Sequence, residues 1–349
     1  MSYPVVSVII PAFRAAPYIG EALASVFCQT FPDFEIVLVN DGSPDTDDLE
    51  RAIEPYRHRI IYIEQENRGP GGARNTAISR ARGEFLAFLD SDDVWLPNYL
   101  AEQIGALRLD ARLDFIYADA VLFGVSALAG ETYMATSPSH GAVTLESLLN
   151  RDCMVITTCT IVRRQAVIDA GGFDEDWLVV PCEDLDLWIR LAYNGCRMAY
   201  QRRVLARHRL RATSLIADDV LRLWTAHIRV LRKAAETLTL APSARETIAR
   251  RIIAAEAEYA LAAGKRSLVE GRFDQALEWL ERANSFFCSR KLSAVMLCLR
   301  HAPRLLRITF EARNRALETL APSRNVLRRV ARRLRSRQFR FTKAGDFRL

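Results

Sequence analysis

The chain has 349 residues, half of them hydrophobic, a length that supports one sizeable α/β core and a second, smaller unit. No uninterrupted apolar run approaches the roughly 18 residues a spanning helix needs, and Met1-Ser2-Tyr3-Pro4 leads into an apolar strand with no charged leader, so the sequence reads as cytoplasmic. The formal net charge is +6, and the seven cysteines, scattered from Cys28 to Cys298 without a C-x-x-C pair, argue against a disulfide framework and a thiolate zinc site and for buried thiols in a reducing compartment.

Along the first half, short β-rich runs alternate with helical patterns, the rhythm of a mostly parallel sheet covered by helices. Strands are predicted at 6–10, 35–40, 60–64 and 84–89, with a Pro-started helix at 17–29 and a helix at 71–82 entered through a Gly/Pro turn. A helix at 97–109 and strands at 115–123 and 158–163 follow. Beyond about residue 216 the pattern changes to long Ala/Leu/Arg/Glu-rich stretches of helical period with no convincing strand. The expected organisation is an α/β unit over 1–215, a helical region over 216–322 and a basic tail over 323–349. Within the helical region, the segment from Gly271 to Ala283 resembles one half of a tetratricopeptide repeat. No second copy occurs at a fixed period, so a single helical hairpin is expected.

The charge is concentrated at the end of the chain, where residues 320–349 carry ten Lys/Arg against Asp346, a net +9 that leaves −3 for the rest. In 324–341, Val326, Leu327, Val330, Ala331 and Leu334 recur at helical spacing, and arginines fill much of the other face. This pattern suits a peripheral helix on an anionic membrane surface, at the inner face of the cell membrane. A solvated helix or a disordered tail is the plainer alternative. Nucleic acid is not expected as a partner, because no aromatic-and-basic groove accompanies the run.

Several local patterns carry possible chemistry. Phe88-Leu89-Asp90-Ser91-Asp92-Asp93 clusters three carboxylates at the end of an apolar strand, where they repel one another unless a cation intervenes. A hard divalent ion resolves that repulsion and can bridge to a diphosphate; helix capping is the plainer reading. Val39-Asn40-Asp41-Gly42-Ser43 is a second apolar strand ending in an acid, able to accept from a nucleobase N–H or simply to make a turn. The Gly-rich stretch from Asn67 to Asn75 opens a helix, where backbone N–H groups favour an anion, although its spacing is not G-x-G-x-x-G. Glu183-Asp184-Leu185-Asp186 places acids at the front of an amphipathic helix, a position the macrodipole favours without any function. His208 stands in a basic segment, and a lone histidine is more often structural than a ligand.

In their order and spacing these patterns, with Val8-Ile9-Ile10-Pro11-Ala12-Phe13 and Gly171-Gly172-Phe173-Asp174, resemble the inverting family 2 glycosyltransferases of GT-A fold. The resemblance covers about residues 4–214 and leaves the C-terminal helices unexplained. It implies a Rossmann-like, mostly parallel sheet with flanking helices over 1–215, followed by an all-α region. It also implies roles: Pro11, Ala12, Phe13 and Asp41 at the nucleobase and ribose, and Arg74 on the diphosphate or ribose side. Asp90 and Ser91 would face the donor, Asp92 a Mn²⁺ or Mg²⁺ ion, and His208 would complete the metal or pyrophosphate site. Asp184, in its Glu183-Asp184 pair, looks like the catalytic base. Arg14 departs from the family, which often has a small polar residue such as Asn there.

The implied reaction moves a sugar, by default from a UDP-sugar donor, to a hydroxyl of a glycan or lipid-linked acceptor. A sugar-phosphate nucleotidyltransferase is the enzymatic alternative, disfavoured because Pro11-Ala12-Phe13-Arg14 replaces a Lys-bearing phosphate loop. A non-catalytic scaffold held at a membrane by the tail is the other.

Overall fold

The computed structural model describes residues 3–126, 128–211 and 219–319, with side chains to residue 312; the amphipathic helix expected at 324–341 lies outside the described residues. Eight strands form one sheet in the order β3-β2-β1-β4-β7-β6-β8-β5. These are β1 (Val6–Ala12), β2 (Phe34–Asp41), β3 (Ile61–Gln65), β4 (Phe85–Phe88), β5 (Val94–Trp95), β6 (Phe115–Gly124), β7 (Thr160–Arg163) and β8 (Met198–Leu210). The central strand β1 is apolar almost throughout because it is covered on both faces. Val6, Val8, Ile10 and Ala12 enter one core cluster and Ile9 the other, as the two-residue period of a strand requires.

One half of the sheet is the expected parallel array: β1 runs parallel to β2 and β4, and β2 to β3. The other half adds antiparallel strands to the expected, mostly parallel sheet. β7 is antiparallel to both β4 and β6, and β5 is antiparallel to β8. β8 runs parallel to β6, with an irregularity between Tyr117 and Ala120. Parallel pairing aligns the C-terminal ends of β1, β2 and β4, so that Phe13, Asp41 and Asp90 open onto one edge, where sheets of this kind bind ligands.

Helices cover both faces. On one lies α1 (Ala16–Phe27), burying Ile19, Ala22, Leu23 and Val26. Three short or medium helices lie along the sheet: α2 (Thr46–Ile53), α3 (Gly69–Arg80) and α4 (Tyr99–Leu109). After β6 come α5 (Tyr133–Thr136), α6 (Leu145–Leu149), α7 (Arg164–Asp169) and α8 (Glu183–Tyr193). The second face packs α3, through Ala73 and Ala77, and α8, through Leu187, Trp188 and Leu191, into a common cluster. Its aromatic centre sets Phe88 edge-on to Phe173 at 5.4 Å and Phe115 edge-on to Trp188 at 4.8 Å. The Val180–Pro181 peptide leading into α8 is cis.

The C-terminal helices are α9 (Val220–Thr237), α10 (Pro242–Val269), α11 (Phe273–Phe287), α12 (Arg290–His301) and α13 (Pro303–Thr319). Helix α9 shares a core with the α/β unit: Ala226, Val230 and Leu231 pack with Leu149, Val179, Cys182 and Ile189. Helices α10 and α11 fold back on each other through Gly271, whose φ of 79° suits glycine. A Cβ on Gly264 would stand 2.7 Å from Leu280 Cδ2, so glycine permits their close approach. Among the described residues no helix is long and apolar enough to cross a membrane. All seven cysteines are free thiols, but Cys28, Cys288 and Cys298 are exposed rather than buried as expected.

Candidate active site

The side expected to hold the nucleobase lies where β1 and β2 end. Asp41 is buried, and its Oδ1 accepts from the Gln65 amide at 2.6 Å and the Arg68 backbone N–H at 2.9 Å. The carboxylate is thereby aimed, and Oδ2 stays available to a ligand. Of the β1 residues singled out in the sequence, Ala12 is fully buried, Pro11 partly so, and Phe13 presents its ring to solvent. Arg14 takes a left-handed conformation, φ 52°, with its N–H donating to Ser43 Oγ at 2.6 Å. Asn tolerates that conformation better than most residues, which gives a physical reason for a small polar residue at this position.

Acids crowd the segment after β4. Asp93 is fully buried: one oxygen meets His208 Nδ1 at 2.8 Å and the other accepts from the Arg209 backbone N–H at 2.7 Å. Asp92 pairs with Arg211 at 2.8 Å. Burial, and then Asp93 and Asp90, push the Asp92 carboxyl up to about 6 despite Arg211. Burial opposes charge on His208, but Asp93 and the acids beyond it push the imidazole up to about 9. The three acids stand close enough to disfavour charge on one another, and a cation among them would favour their ionised forms. Asp93 holds Nδ1, so Nε2 is the nitrogen left for a ligand, and a metal there would displace the proton that the acids favour on the ring.

Among the described residues, no three His, Cys, Asp or Glu side chains already converge as a metal cage. A set of one carboxylate, an imidazole and phosphate oxygens of a nucleotide fits a divalent ion, the carboxylate and phosphates being the ligands that Mg²⁺ usually takes. Asp92 and His208 would hold it.

Arg74, on α3, ties this segment to α8. One terminal nitrogen of its buried guanidinium meets Asp90 and the other Glu183, each at 2.8 Å. Burial disfavours the cation, yet Asp90 and Glu183 together hold it firmly protonated. Both terminal nitrogens of the guanidinium are thus engaged by acids. Glu183 Oε1 faces Arg74, while its buried Oε2 has no protein partner. Burial raises the Glu183 carboxyl in spite of Arg74.

Asp184 sits one residue on, in the first turn of α8. Its Oδ2 accepts from Thr157 Oγ1 at 2.7 Å and its Oδ1 from the Leu185 backbone N–H at 2.7 Å. Burial raises this carboxyl too, against the hydrogen bond from Thr157 and the charge of Arg74. Ser91 stands in the turn between Asp90 and Asp92, partly buried. The structure thus brings Arg74, Asp90, Glu183 and Asp184 into one cluster, with Asp92 and His208 beside it and Asp41 at the neighbouring strand end.

Sequence reasoning missed the residues that aim these groups. Asp93 was counted only as one of three acids, although its burial makes it the anchor of His208. Thr157 carried no motif. Lys233, on α9, bridges Asp174 at 2.6 Å and Asp186 at 2.9 Å, clamping the segment that leads into Asp184. Trp177 on that segment is half exposed, and its ring lies over Gly69 at the start of α3, where a Cβ would be 3.1 Å away. For Lys233 and Trp177 the signal lies in tertiary placement alone.

The family model described as glycosyl transferase family 2 matches residues 7–170. A teichuronic acid biosynthesis glycosyltransferase of Bacillus subtilis, TuaG, is 31% identical over 223 residues, 62% of this chain and 82% of that one. The succinoglycan biosynthesis protein ExoW of Rhizobium meliloti is 40% identical over 174 residues, 43% of this chain and 54% of ExoW. Against a glycosyltransferase of Rickettsia felis, 40% identical over 115 residues, the chain spans 19% of the relative's length. Among solved structures, Staphylococcus aureus TarS 1–349 in complex with UDP-GlcNAc superposes with a TM-score of 0.61 at 19% identity, covering 89% of this chain and 91% of that one. The mannosyltransferase PcManGT of Pyrobaculum calidifontis, in complex with GDP-Man and Mn²⁺, gives 0.57 at 21% identity, covering 93% and 88%. These superpositions establish a shared GT-A fold.

Proposed function

The chain belongs to glycosyl transferase family 2, and on that footing we propose that it is an inverting transferase carrying a sugar from a UDP-sugar to a hydroxyl of a glycan or lipid-linked acceptor. The observation that carries this reading is the Arg74 bridge, which reaches 16 residues along the chain to Asp90, on the donor side, and 109 residues to Glu183, next to the base. Two motifs that are individually ordinary become one site. The UDP-GlcNAc held by TarS agrees with a uridine donor, and the Mn²⁺ in PcManGT with a divalent ion. The domain division that follows is a catalytic unit over 1–215, a helical region over 216–322 and a basic tail over 323–349 suited to an anionic membrane surface.

The chemistry is a single displacement. Asp41, with Pro11 and Phe13, binds the base and ribose, and Asp90 and Ser91 orient the donor. The acceptor oxygen attacks the anomeric carbon as the bond from that carbon to the diphosphate oxygen breaks. Asp184 takes the acceptor proton, and the nucleoside diphosphate leaves. Burial of Asp184 raises its affinity for that proton. A bound Mn²⁺ or Mg²⁺ supplies charge stabilisation for the departing diphosphate. Arg74 keeps Asp90 and Glu183 in place and adds positive potential behind them. One displacement inverts the anomeric centre, and no second carboxylate is needed as a nucleophile.

The test is calorimetric titration of UDP with Mn²⁺ or with chelator, in the wild type and in Asp92→Ala. Binding should require metal in the wild type and weaken at least about tenfold in the variant. Equal affinity under all four conditions would remove the metal and Asp92 from the site.

A further inference from the structure

Charge is divided unevenly along the chain. Residues 290–349 hold seventeen Lys/Arg against Glu311, Glu318 and Asp346, a net +14, which with a total of +6 leaves −8 for residues 1–289. The basic part begins with α12, which contains no acid, and continues through α13.

Each of these helices turns one face to the core of the helical region: Leu292 and Leu299 of α12 are buried in it, and Leu306 and Phe310 of α13 pack against it. The sides away from that core hold large aliphatic groups in solvent. Leu297 is 58% exposed, Leu305 62% and Ile308 58%. One exposed leucine is ordinary, but three such residues on consecutive helices, all opposite the core-facing positions, mark a second apolar face.

The cations beside them do nothing for the helices that carry them. Arg290 and Lys291 stand in the first turn of α12 and Arg304 in that of α13, where no acid is present and the macrodipole disfavours positive charge. All three are exposed. Arg300 pairs with Glu281 and Arg307 with Glu311, whereas among the described residues no salt bridge takes up Arg290, Lys291 or Arg304. Cations next to exposed aliphatic groups suit a surface that is anionic outside and apolar beneath, as a bilayer is.

The same charge disfavours other occupants. A second copy of the chain would bring two cationic ends together, and the arginine-rich segment 324–341 would meet like charge on α12 and α13. Nucleic acid would leave the aliphatic groups without a use, and neither helix exposes a Phe, Tyr or Trp to stack on a base.

Resting on the reading of the tail as suited to an anionic membrane, we propose that the outer face of α12 and α13 is itself a membrane-docking surface. Leu297, Leu305 and Ile308 enter the boundary between headgroups and acyl chains, and Arg290, Lys291 and Arg304 meet lipid phosphates. The folded helices thus begin a surface that the tail extends, and an acceptor carried on a lipid would reach the enzyme within it.

The experiment is flotation of the full chain with phosphatidylcholine vesicles, with and without about 30% phosphatidylglycerol, at low salt and at about 0.5 M salt. UDP affinity and thermal midpoint are measured on the same samples. The wild type should bind the anionic vesicles at low salt at least about tenfold more tightly than the neutral ones, and lose most of that binding in high salt. Combined Leu297→Ser, Leu305→Ser and Ile308→Ser should weaken binding to anionic vesicles by about tenfold or more. Combined Arg290→Glu and Arg304→Glu should do the same, and acids at those helix starts should not lower the midpoint. UDP affinity should stay within about twofold in both variants, since neither touches the site. Full binding by both variants would overturn the docking face and leave the tail as the anchor. No binding by the wild type would overturn both, as would equal binding to neutral vesicles. Failure of the wild type to bind UDP would instead count against the transferase reading.

Discussion

At the scale of single residues, the site depends on carboxylates held where water does not balance them. Asp184 is the sharpest case, since its two oxygens accept from Thr157 and Leu185 and its burial favours the protonated form. Asp184→Asn keeps the shape and cannot take a proton. It should lower transfer by about 100-fold or more and leave UDP affinity nearly unchanged, measured as turnover beside calorimetry. Substantial transfer by the variant would remove Asp184 from the role of base. Arg74 tests the framework rather than the reaction. Arg74→Met would leave Asp90 and Glu183 facing each other without a cation, so unfolding in urea should show a loss of about 3 kcal/mol or more, far beyond what an exposed arginine would cost. Of this chemistry the sequence showed the acids and their motif order. It did not show that Arg74 is committed to two carboxylates, because a pairing across 109 residues has no local signature.

At the scale of elements, legibility followed periodicity. Strands β1, β2 and β4 were found because their residues are apolar on both faces, and α1 and α3 because Pro and Gly mark their starts. The strand β8 was missed because it carries Arg202, Arg203, Arg207 and Arg209, a run that reads as a solvated basic segment. Its arginines are accommodated by aromatic faces: the guanidinium carbons of Arg207 and Arg209 lie 4.2 Å and 4.3 Å from the Phe123 ring centre. That pairing also places His208 against Asp93. Two-residue β5 is too short to show any period, and acidic α2 lacks an apolar run. Element packing carries its own prediction at α9, where Lys233 pins Asp174 and Asp186 on either side of Asp184. Lys233→Met should lower kcat by about tenfold with donor KM nearly constant, and Lys233→Arg should recover part of it. A variant that loses stability but not kcat would assign Lys233 to the fold alone.

At the scale of the whole molecule, α9 fastens the helical region to the α/β unit through a shared core, and His227 on the same helix is buried. That histidine is buried neutral, held down to about 3 by burial and by Arg151 and Arg251. Its folded value lies below the ordinary one, so the unfolded chain takes up a proton first as pH falls. Its contribution to stability is therefore complete above about pH 7 and is lost progressively below about 6.5. Between pH 7.5 and 5.5 the loss should be about 1.4 kcal/mol. Urea midpoints should fall over that range in the wild type and less steeply in His227→Leu; parallel slopes would show that His227 does not titrate as described.

The central claim, that the Arg74-linked acids form one metal-assisted transfer site, is tested most directly by slow donor hydrolysis. The full chain is incubated with UDP-, GDP- and dTDP-sugars, with Mn²⁺ or with chelator, and the released sugar is followed by proton NMR. The expected result is hydrolysis of one donor, a UDP-sugar, only with Mn²⁺, with the inverted anomer appearing first and no release by Asp92→Ala. Release that is indifferent to chelator and unchanged in the variant, or that begins with the retained anomer, would contradict it.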